Sequence, residues 1–156
     1  MRSLVVAVAQ PSTIPLDIVR NVATHAAVVR AAAARVVVFP ELSLTGYQLD
    51  ATTIDEHDPR LAPLIDACAA TDTIALAGAP LAGPHIATLA IDAGGARIVY
   101  RKQYPHHTEA RFQPGPAPAR TSRRWRSTRT GPGSPTASST RTTPRHGSSR
   151  GPRRPC

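Results

Sequence analysis

Cysteine is scarce in this sequence of 156 residues, where it occurs only as Cys68 and Cys156. Two cysteines so far apart provide neither a disulfide framework nor the spacing of a structural metal site. No hydrophobic run approaches the length that crosses a membrane. The composition therefore argues against disulfide-rich secreted proteins and membrane-spanning proteins, and we expect a cytoplasmic protein without a metal.

Acidic residues are absent from the last part of the chain. All 10 of them lie between Asp17 and Glu109, so residues 1–119, with 9 basic residues, have a net formal charge of −1. Residues 120–156 contain the other 10 basic residues, all Arg, and no acid, which gives +10. The total of +9 therefore describes the end of the chain, and it does not by itself indicate a nucleic-acid-binding protein.

Apolar residues are also rare after residue 119, where only Trp125, Ala137 and Cys156 occur. Such a segment cannot bury enough surface to offset the entropy lost on ordering, so we expect a disordered Arg/Pro/Ser/Thr-rich tail over 119–156. GC-rich codons read in the wrong frame give the same composition, and we favour a frameshift over a linker or interaction tail. Residues 1–118 are rich in Ala, Val, Leu and Ile and form the predicted domain.

The apolar pattern of residues 3–101 predicts alternating strands and helices followed by a hairpin. The predicted strands cover 3–9, 36–39 and 73–79, the helices run from 17 to about 34 and from 60 to 70, and the hairpin strands cover 85–92 and 97–101. The first two strands are continuously apolar, which is typical of strands buried on both faces. The apolar run at 4–9 is short for a secretion signal, so we interpret it as the first strand. The order predicts an α/β fold with helices packed on a mixed sheet.

One carboxylate follows directly after a predicted strand. Pro40 ends the strand at 36–39 and leaves Glu41 at its carboxyl end, which is where open α/β sheets place their chemistry. At the edge of an apolar core, desolvation raises the proton affinity of a carboxylate and suits it to act as a general base. The alternative is a carboxylate that caps the next segment or pairs with an arginine.

Lysine is the rarest charged residue, since Lys102 stands alone against 18 arginines. It follows the last predicted strand. In a sequence that otherwise uses Arg, a single Lys suggests a position that Arg would not serve, because an ammonium is a compact charge with three donors. The alternative is an exposed lysine at a strand end.

Two blocks of this sequence resemble the nitrilase-like carbon–nitrogen hydrolase superfamily. They are Phe39-Pro40-Glu41 with Thr45-Gly46-Tyr47, and Arg101-Lys102 with Glu109 and Phe112-Gln113-Pro114-Gly115. The resemblance covers residues 1 to about 118. It implies an α-β-β-α sandwich in truncated form, a small-molecule amide, carbamoyl or nitrile substrate, no cofactor, and a family that commonly pairs subunits into homo-oligomers.

The resemblance also implies a Glu–Lys–Cys triad that cleaves a non-peptide C–N bond through a thioester. Glu41 matches the general base that takes the proton of the thiol, and Lys102 matches the donor to the oxygen of the tetrahedral intermediate. Glu109 matches an additional glutamate near the lysine that orients the substrate or the ion network; the alternative is a solvated loop acid. We interpret Tyr47 as a core residue beside the site.

No nucleophile is identified in the sequence. Cys68 lies on the apolar face of a predicted helix, where a cysteine behaves as a small hydrophobic residue. Cys156 ends the predicted tail, where nothing holds it near Glu41. We therefore expect this chain to be inactive.

Two further readings stay open. The first is a non-catalytic fragment whose basic tail binds nucleic acid or acidic surfaces non-specifically and with strong salt dependence, although Trp125 alone offers base stacking. The second is a remnant without function, whose sheet has an unpaired edge that favours aggregation.

Overall fold

The computed structural model describes residues 3–117. The predicted tail over 119–156 and its alternative nucleic-acid role lie outside the described residues, as does Cys156. The described helices and strands are, in chain order, β1 (Val6–Val8), α1 (Ile18–Ala31), β2 (Val36–Val38), α2 (Ala62–Thr71), β3 (Ile74–Leu81), β4 (His85–Asp92) and β5 (Gly95–Arg101). Short 3₁₀ turns cover Ser43–Thr45, Pro59–Leu61 and His107–Glu109.

The five strands form one mixed sheet in the order β1-β2-β3-β4-β5. The pairs β1–β2 and β2–β3 are parallel, whereas β3–β4 and β4–β5 are antiparallel. This arrangement confirms the predicted α/β fold with parallel strands first and a hairpin last. Residues 3–117 thus supply one sheet and one helical layer of the four-layer sandwich that the resemblance implies.

Local sequence explains where the two helices begin. The Asp17 carboxylate accepts a hydrogen bond from the Arg20 N–H at 3.0 Å, which satisfies one free donor of the first turn of α1. Before α2, the Asp58 carboxylate caps the 3₁₀ turn Pro59–Leu61 in the same way. Within residues 3–117, neither helix has the length and hydrophobicity needed to cross a membrane.

Both helices bury their apolar sides in one core with alternate residues of the sheet. The core residues of the helices include Val22, Val29, Leu64 and Cys68, and those of the sheet include Val37, Ala75, Ala77, Leu89 and Ile91. Because side chains alternate across a strand, residues at the intervening sheet positions face away from the helices.

The prediction that β1 is buried on both faces is wrong. Val8 is 84% exposed and Val6 is also exposed, since both lie on the face of the edge strand β1 that points away from the helices. In β2 only Val37 is buried, while Val36 and Val38 are half-buried. A continuous apolar run cannot tell whether something covers its second face, and among residues 3–117 nothing covers it at β1.

Candidate active site

Glu41 lies on a turn that is pressed against β3. After Pro40 the chain enters the left-handed region at Leu42, with φ 52°, and continues into the turn Ser43–Thr45. Gly78 of β3 lies directly beneath: a Cβ there would stand 2.3 Å from the Leu42 nitrogen and 2.7 Å from the Glu41 Cα. Only glycine permits this approach of two backbones, and the contact fixes the position of Glu41.

Lys102 is held by backbone contacts on both sides. Its N–H donates to the Ile86 carbonyl at 2.8 Å, and its own carbonyl accepts from the Gly115 N–H at 2.7 Å. A Cβ on Gly115 would lie 2.5 Å from the Arg101 carbonyl oxygen, so this second glycine is also required by a close approach. The segment after β5 therefore has a fixed path, and so does the start of the lysine side chain.

Glu109 closes the turn His107–Glu109 and is only 1% exposed. One carboxylate oxygen, Oε2, accepts the His106 N–H at 2.7 Å, and Oε1 accepts the Tyr47 hydroxyl at 3.3 Å. A buried carboxylate needs such donors to stay charged. Glu109 is therefore a fixed, fully surrounded anion and not a solvated loop acid.

The three residues that sequence analysis selected meet at the lysine ammonium. Lys102 Nζ donates to Glu41 Oε1 at 2.8 Å and to Glu109 Oε1 at 2.9 Å, and it is also 2.9 Å from Glu109 Oε2. Two carboxylates and one ammonium give this cluster a net formal charge of −1. The Glu41 side chain is 35% exposed, so it is less desolvated than sequence analysis expects. The catalytic roles of the three residues stay predictions.

The environment favours the charged forms of Lys102 and Glu109. Burial opposes the charge on Lys102, but the hydrogen bonds and charges of Glu41 and Glu109 outweigh it and raise the pKa of the ammonium. Burial likewise opposes the charge on Glu109, yet the hydrogen bonds from Lys102 and from the His106 N–H lower the pKa of its carboxyl group. Both groups are therefore ionised at neutral pH.

Tyr47 is not the core residue that sequence analysis expects. Its side chain is 54% exposed, and its backbone adopts φ 60°. Burial of the hydroxyl, followed by the negative charges of Glu109 and Glu41, raises the pKa of the phenol, which keeps it a hydrogen-bond donor to Glu109. The strained backbone indicates that a particular conformation is required at this position. The Thr45-Gly46-Tyr47 block could have indicated this requirement, whereas hydropathy could not.

A cleft of ≈ 280 Å³ opens beside Glu41. It is lined by Gln10, Pro11, Thr13, Pro40, Glu41, Ser43 and Tyr47. The polar residues Gln10, Thr13 and Ser43 are not among the site residues predicted from the sequence. Gln10 ends the apolar run that becomes β1, and Ser43 follows Glu41 by two positions, but only the fold brings the two segments together.

The structure places Cys68 away from this cleft, on the side of α2 that faces the core. Burial raises the pKa of its thiol, which disfavours the reactive thiolate. Its predicted core position is confirmed. Within residues 3–117 no group of three potential metal ligands lies together.

Comparison with solved structures identifies proteins with a similar fold. A glutamine-dependent NAD(+) synthetase from Cytophaga hutchinsonii superposes with a TM-score of 0.58 and 19% identity, over 76% of this chain and 23% of that protein. An amidase from Nesterenkonia sp. superposes with a TM-score of 0.58 and 21% identity, over 74% of this chain and 49% of that protein. The NitN amidase from Neterenkonia sp. AN1 superposes with a TM-score of 0.58 and 22% identity, over 74% of this chain and 51% of that protein. At these identities the likeness concerns the fold alone.

This chain thus spans about a quarter to about a half of the length of these three proteins. A comparison with curated proteins gave no match. A family model described as carbon-nitrogen hydrolase matches residues 5–141, which extends beyond the boundary at about 118 that sequence analysis predicts. The match covers most of the sequence, and the chain belongs to the carbon–nitrogen hydrolase family.

Proposed function

We propose that Glu41, Lys102 and Glu109 form the acid–base part of a site that cleaves a non-peptide C–N bond in a small amide, carbamoyl compound or nitrile. The observation that carries this proposal is the shared contact of Lys102 Nζ, at 2.8 Å from Glu41 and 2.9 Å from Glu109. Residues 61 positions apart converge there, beside a cleft that is large enough for a small ligand.

In the proposed reaction Glu41 transfers protons and the Lys102 ammonium stabilises negative charge. A thiol attacks the amide carbon, Glu41 accepts the thiol proton, and the same proton then leaves with the expelled ammonia. Water hydrolyses the thioester, again with Glu41 as the base. The lysine ammonium has three N–H donors. Two of them point to the carboxylates, which leaves the third for the oxygen that becomes negative in the tetrahedral intermediate.

Glu109 has a supporting role in this proposal. It is buried and bound by the His106 N–H as well as by Lys102, so its charge is held constant while Glu41 exchanges a proton. A constant negative charge keeps the lysine protonated and in place. Glu109 is thus a positioning residue for Lys102.

The nucleophile is the part of the triad that residues 3–117 do not place in the cleft. Cys68 is buried in the core, and its thiol has a raised pKa. We therefore propose that this chain by itself is inactive as an amidase, and that a thiol supplied from outside completes the chemistry.

Chemical rescue tests this proposal on the full chain. Propionamide is incubated with and without 2-mercaptoethanol, and ammonia release is measured. We expect release only with the added thiol, and at least about tenfold less in Glu41→Gln and in Lys102→Met, because each removes one part of the proton transfer or the charge stabilisation.

The control is Arg97→Met, which removes an exposed cation that pairs with Asp92 and should leave the rescued rate unchanged. Thiol-dependent release that is equal in Glu41→Gln, or no release at all, would contradict the proposed site. Turnover without added thiol that disappears in Cys68→Ala or Cys156→Ala would contradict the proposed inactivity.

A further inference from the structure

The outer edge of β1 is apolar and unprotected. β1 lies at one end of the strand order, and within residues 3–117 no strand pairs with its outer side. Val6 and Val8 are exposed on the face away from the helices, and Val5 is 54% exposed on the other face. Residues 4–9 contain no charge and no proline. An edge of this kind favours pairing with another strand.

Backbone hydrogen bonds show which groups of β1 are free to pair. The Val5 carbonyl accepts from the first backbone N–H of β2 at 3.3 Å, and the Ala9 N–H donates to the last carbonyl of β2 at 2.9 Å. The backbone groups of the odd-numbered residues therefore point to β2. Successive residues of a strand direct their N–H and C=O groups to opposite sides, so those of Val6 and Val8 point to the outer edge.

The opposite edge of the sheet is protected. β5 includes Arg97 and Arg101, and its pairing with β4 has a register shift between Thr88 and Leu89. Charged side chains and bulges keep an edge strand from pairing with other chains. Of the two edges of the described sheet, β1 is therefore the one that is suited to association.

The composition of the remaining chain does not match this edge. Residues 118–156 contain no Val, Ile, Leu, Phe or Tyr and 10 arginines, so they lack the branched apolar side chains that pair well with Val6 and Val8. A second copy of this chain offers an identical apolar edge with the same need for a partner.

The β1 strand is complementary to itself in the antiparallel direction. With a two-fold axis at Ala7, Val6 of one copy lies opposite Val8 of the other, and both residues direct their N–H and C=O groups to the partner. Directly opposite residues of this kind exchange two hydrogen bonds. The same register places the valines of both copies on one face, where contacts between β-branched side chains stabilise a sheet.

We propose that two copies of this chain associate through antiparallel pairing of their β1 strands, which joins the two sheets into one continuous sheet. Because the contact is symmetric, each β1 edge is used once and the assembly closes. The edges that remain are the protected β5 strands. The chain therefore forms a dimer and not an open aggregate, and this inference does not depend on the proposed reaction.

Sedimentation velocity of the full chain, measured from about 1 μM to about 1 mM, tests the association. At the upper concentrations we expect a species of twice the chain mass of 16.5 kDa. A monomer at every concentration would overturn the proposal, and so would species that continue to grow beyond the dimer.

Charges at two equally exposed valines identify the edge that pairs. Val6→Lys should raise the dissociation constant of the dimer at least about tenfold, since an edge lysine opposes pairing and occurs twice in the dimer. Val99→Lys, on β5 and with the same exposure of 50%, should leave it unchanged. Equal dissociation constants in the two variants would overturn the β1 interface.

A second charge identifies the register. Adding Val8→Glu to Val6→Lys should recover much of the lost affinity, because each lysine then lies opposite a glutamate of the other copy. Adding Val8→Lys instead should weaken the dimer further. Equal affinities of these two double variants would overturn the antiparallel pairing of Val6 with Val8.

Hydrogen exchange of the unmodified protein tests the same contact without any variant. In the concentrated protein, the Val6 and Val8 amides should exchange at least about tenfold more slowly than in the dilute protein. The Ala9 amide, which is bonded to β2 within one copy, should keep its rate. Val6 and Val8 amides that exchange equally fast at both concentrations would overturn the proposal.

Discussion

The two carboxylates that contact Lys102 lie in contrasting surroundings. Glu109 is buried and closes a 3₁₀ turn, and Lys102, the His106 N–H and the Tyr47 hydroxyl all donate to it. Glu41 is about one-third exposed on the turn after β2, and Lys102 is its hydrogen-bond partner among the described residues. One acid is built into the structure, while the other faces the cleft. A site that needs both a constant charge and an exchangeable proton can obtain them in this way.

Removal of the Lys102 ammonium should have the largest effect on stability, because the buried Glu109 carboxylate then has no partner of opposite charge. We expect Lys102→Met to lower the free energy of unfolding by about 4 kcal/mol, since Glu109 then stays buried without its counter-ion. Urea unfolding followed by circular dichroism measures the change.

The matched control is Arg97→Met, where the ion pair with Asp92 is exposed and the expected loss is below about 1 kcal/mol. Equal losses in the two variants would show that Glu109 is not buried beside Lys102 in solution.

Substitution of Gly78, which lies beneath the Glu41 turn, should have the second-largest effect on stability. Gly78→Ala places a Cβ 2.3 Å from the Leu42 nitrogen, so the turn has to shift, and we expect a loss of about 3 kcal/mol. The rescued ammonia release should fall as well, because Glu41 moves with the turn.

Gly94→Ala serves as the comparison, since its Cβ would meet only the Asp92 carboxylate at 3.2 Å and should change stability by no more than about 0.5 kcal/mol. Wild-type stability in Gly78→Ala would mean that the two backbones are not in contact.

Low pH should reduce the difference in stability between the wild type and a variant with a neutral residue at position 109. We expect Glu109→Gln to cost about 2 kcal/mol at pH 7, because charge-assisted hydrogen bonds are lost. The pKa of Glu109 is lowered in the folded protein, so its contribution is complete above the unfolded-state value of about 4.3 and is lost as the pH falls through the folded value.

The stability difference between the wild type and Glu109→Gln should therefore shrink below about pH 4.3. Urea unfolding at pH 7, 5, 4 and 3 measures it. A difference that stays constant, or that grows in acid, contradicts the sign of the shift.

The smallest effect on stability should come from the exposed acid. Glu41→Gln should cost less than about 1 kcal/mol at pH 7, as is usual for a partly exposed ion pair. It should also lower the pKa of Lys102, because the hydrogen bond and charge of Glu41 help to raise it. NMR titration of the lysine side chain checks this, and an unchanged Lys102 pKa would mean that the two groups are not in contact in solution. A loss as large as that in Glu109→Gln would remove the contrast between the two acids.

Much of the fold could be predicted from local patterns. The hairpin strands at 85–92 and 97–101 and the helix that begins after Asp17 lie within a few residues of β4, β5 and α1, because period and capping are local properties. The burial of β1 could not be predicted in this way, because the pattern of Val6 and Val8 does not show what covers them. Tyr47 was misjudged for a similar reason: its aromatic ring suggested a core residue, while its hydroxyl contacts Glu109, 62 positions away.

The sequence by itself determined the family, the order of the elements and the three charged residues of the candidate site. Short sequence motifs, local periodicity and the single lysine are enough to indicate them. Tertiary structure alone decided that Lys102 bridges an exposed and a buried acid. It also decided that Gly78 lies against the Glu41 turn and that His25 of α1 contacts the Ser43 hydroxyl. Apart from the Lys102–Glu109 contact, which joins residues 7 positions apart, these facts depend on contacts between residues that are 18 to 61 positions apart. No local pattern encodes the distance between two side chains that meet only after the chain has folded.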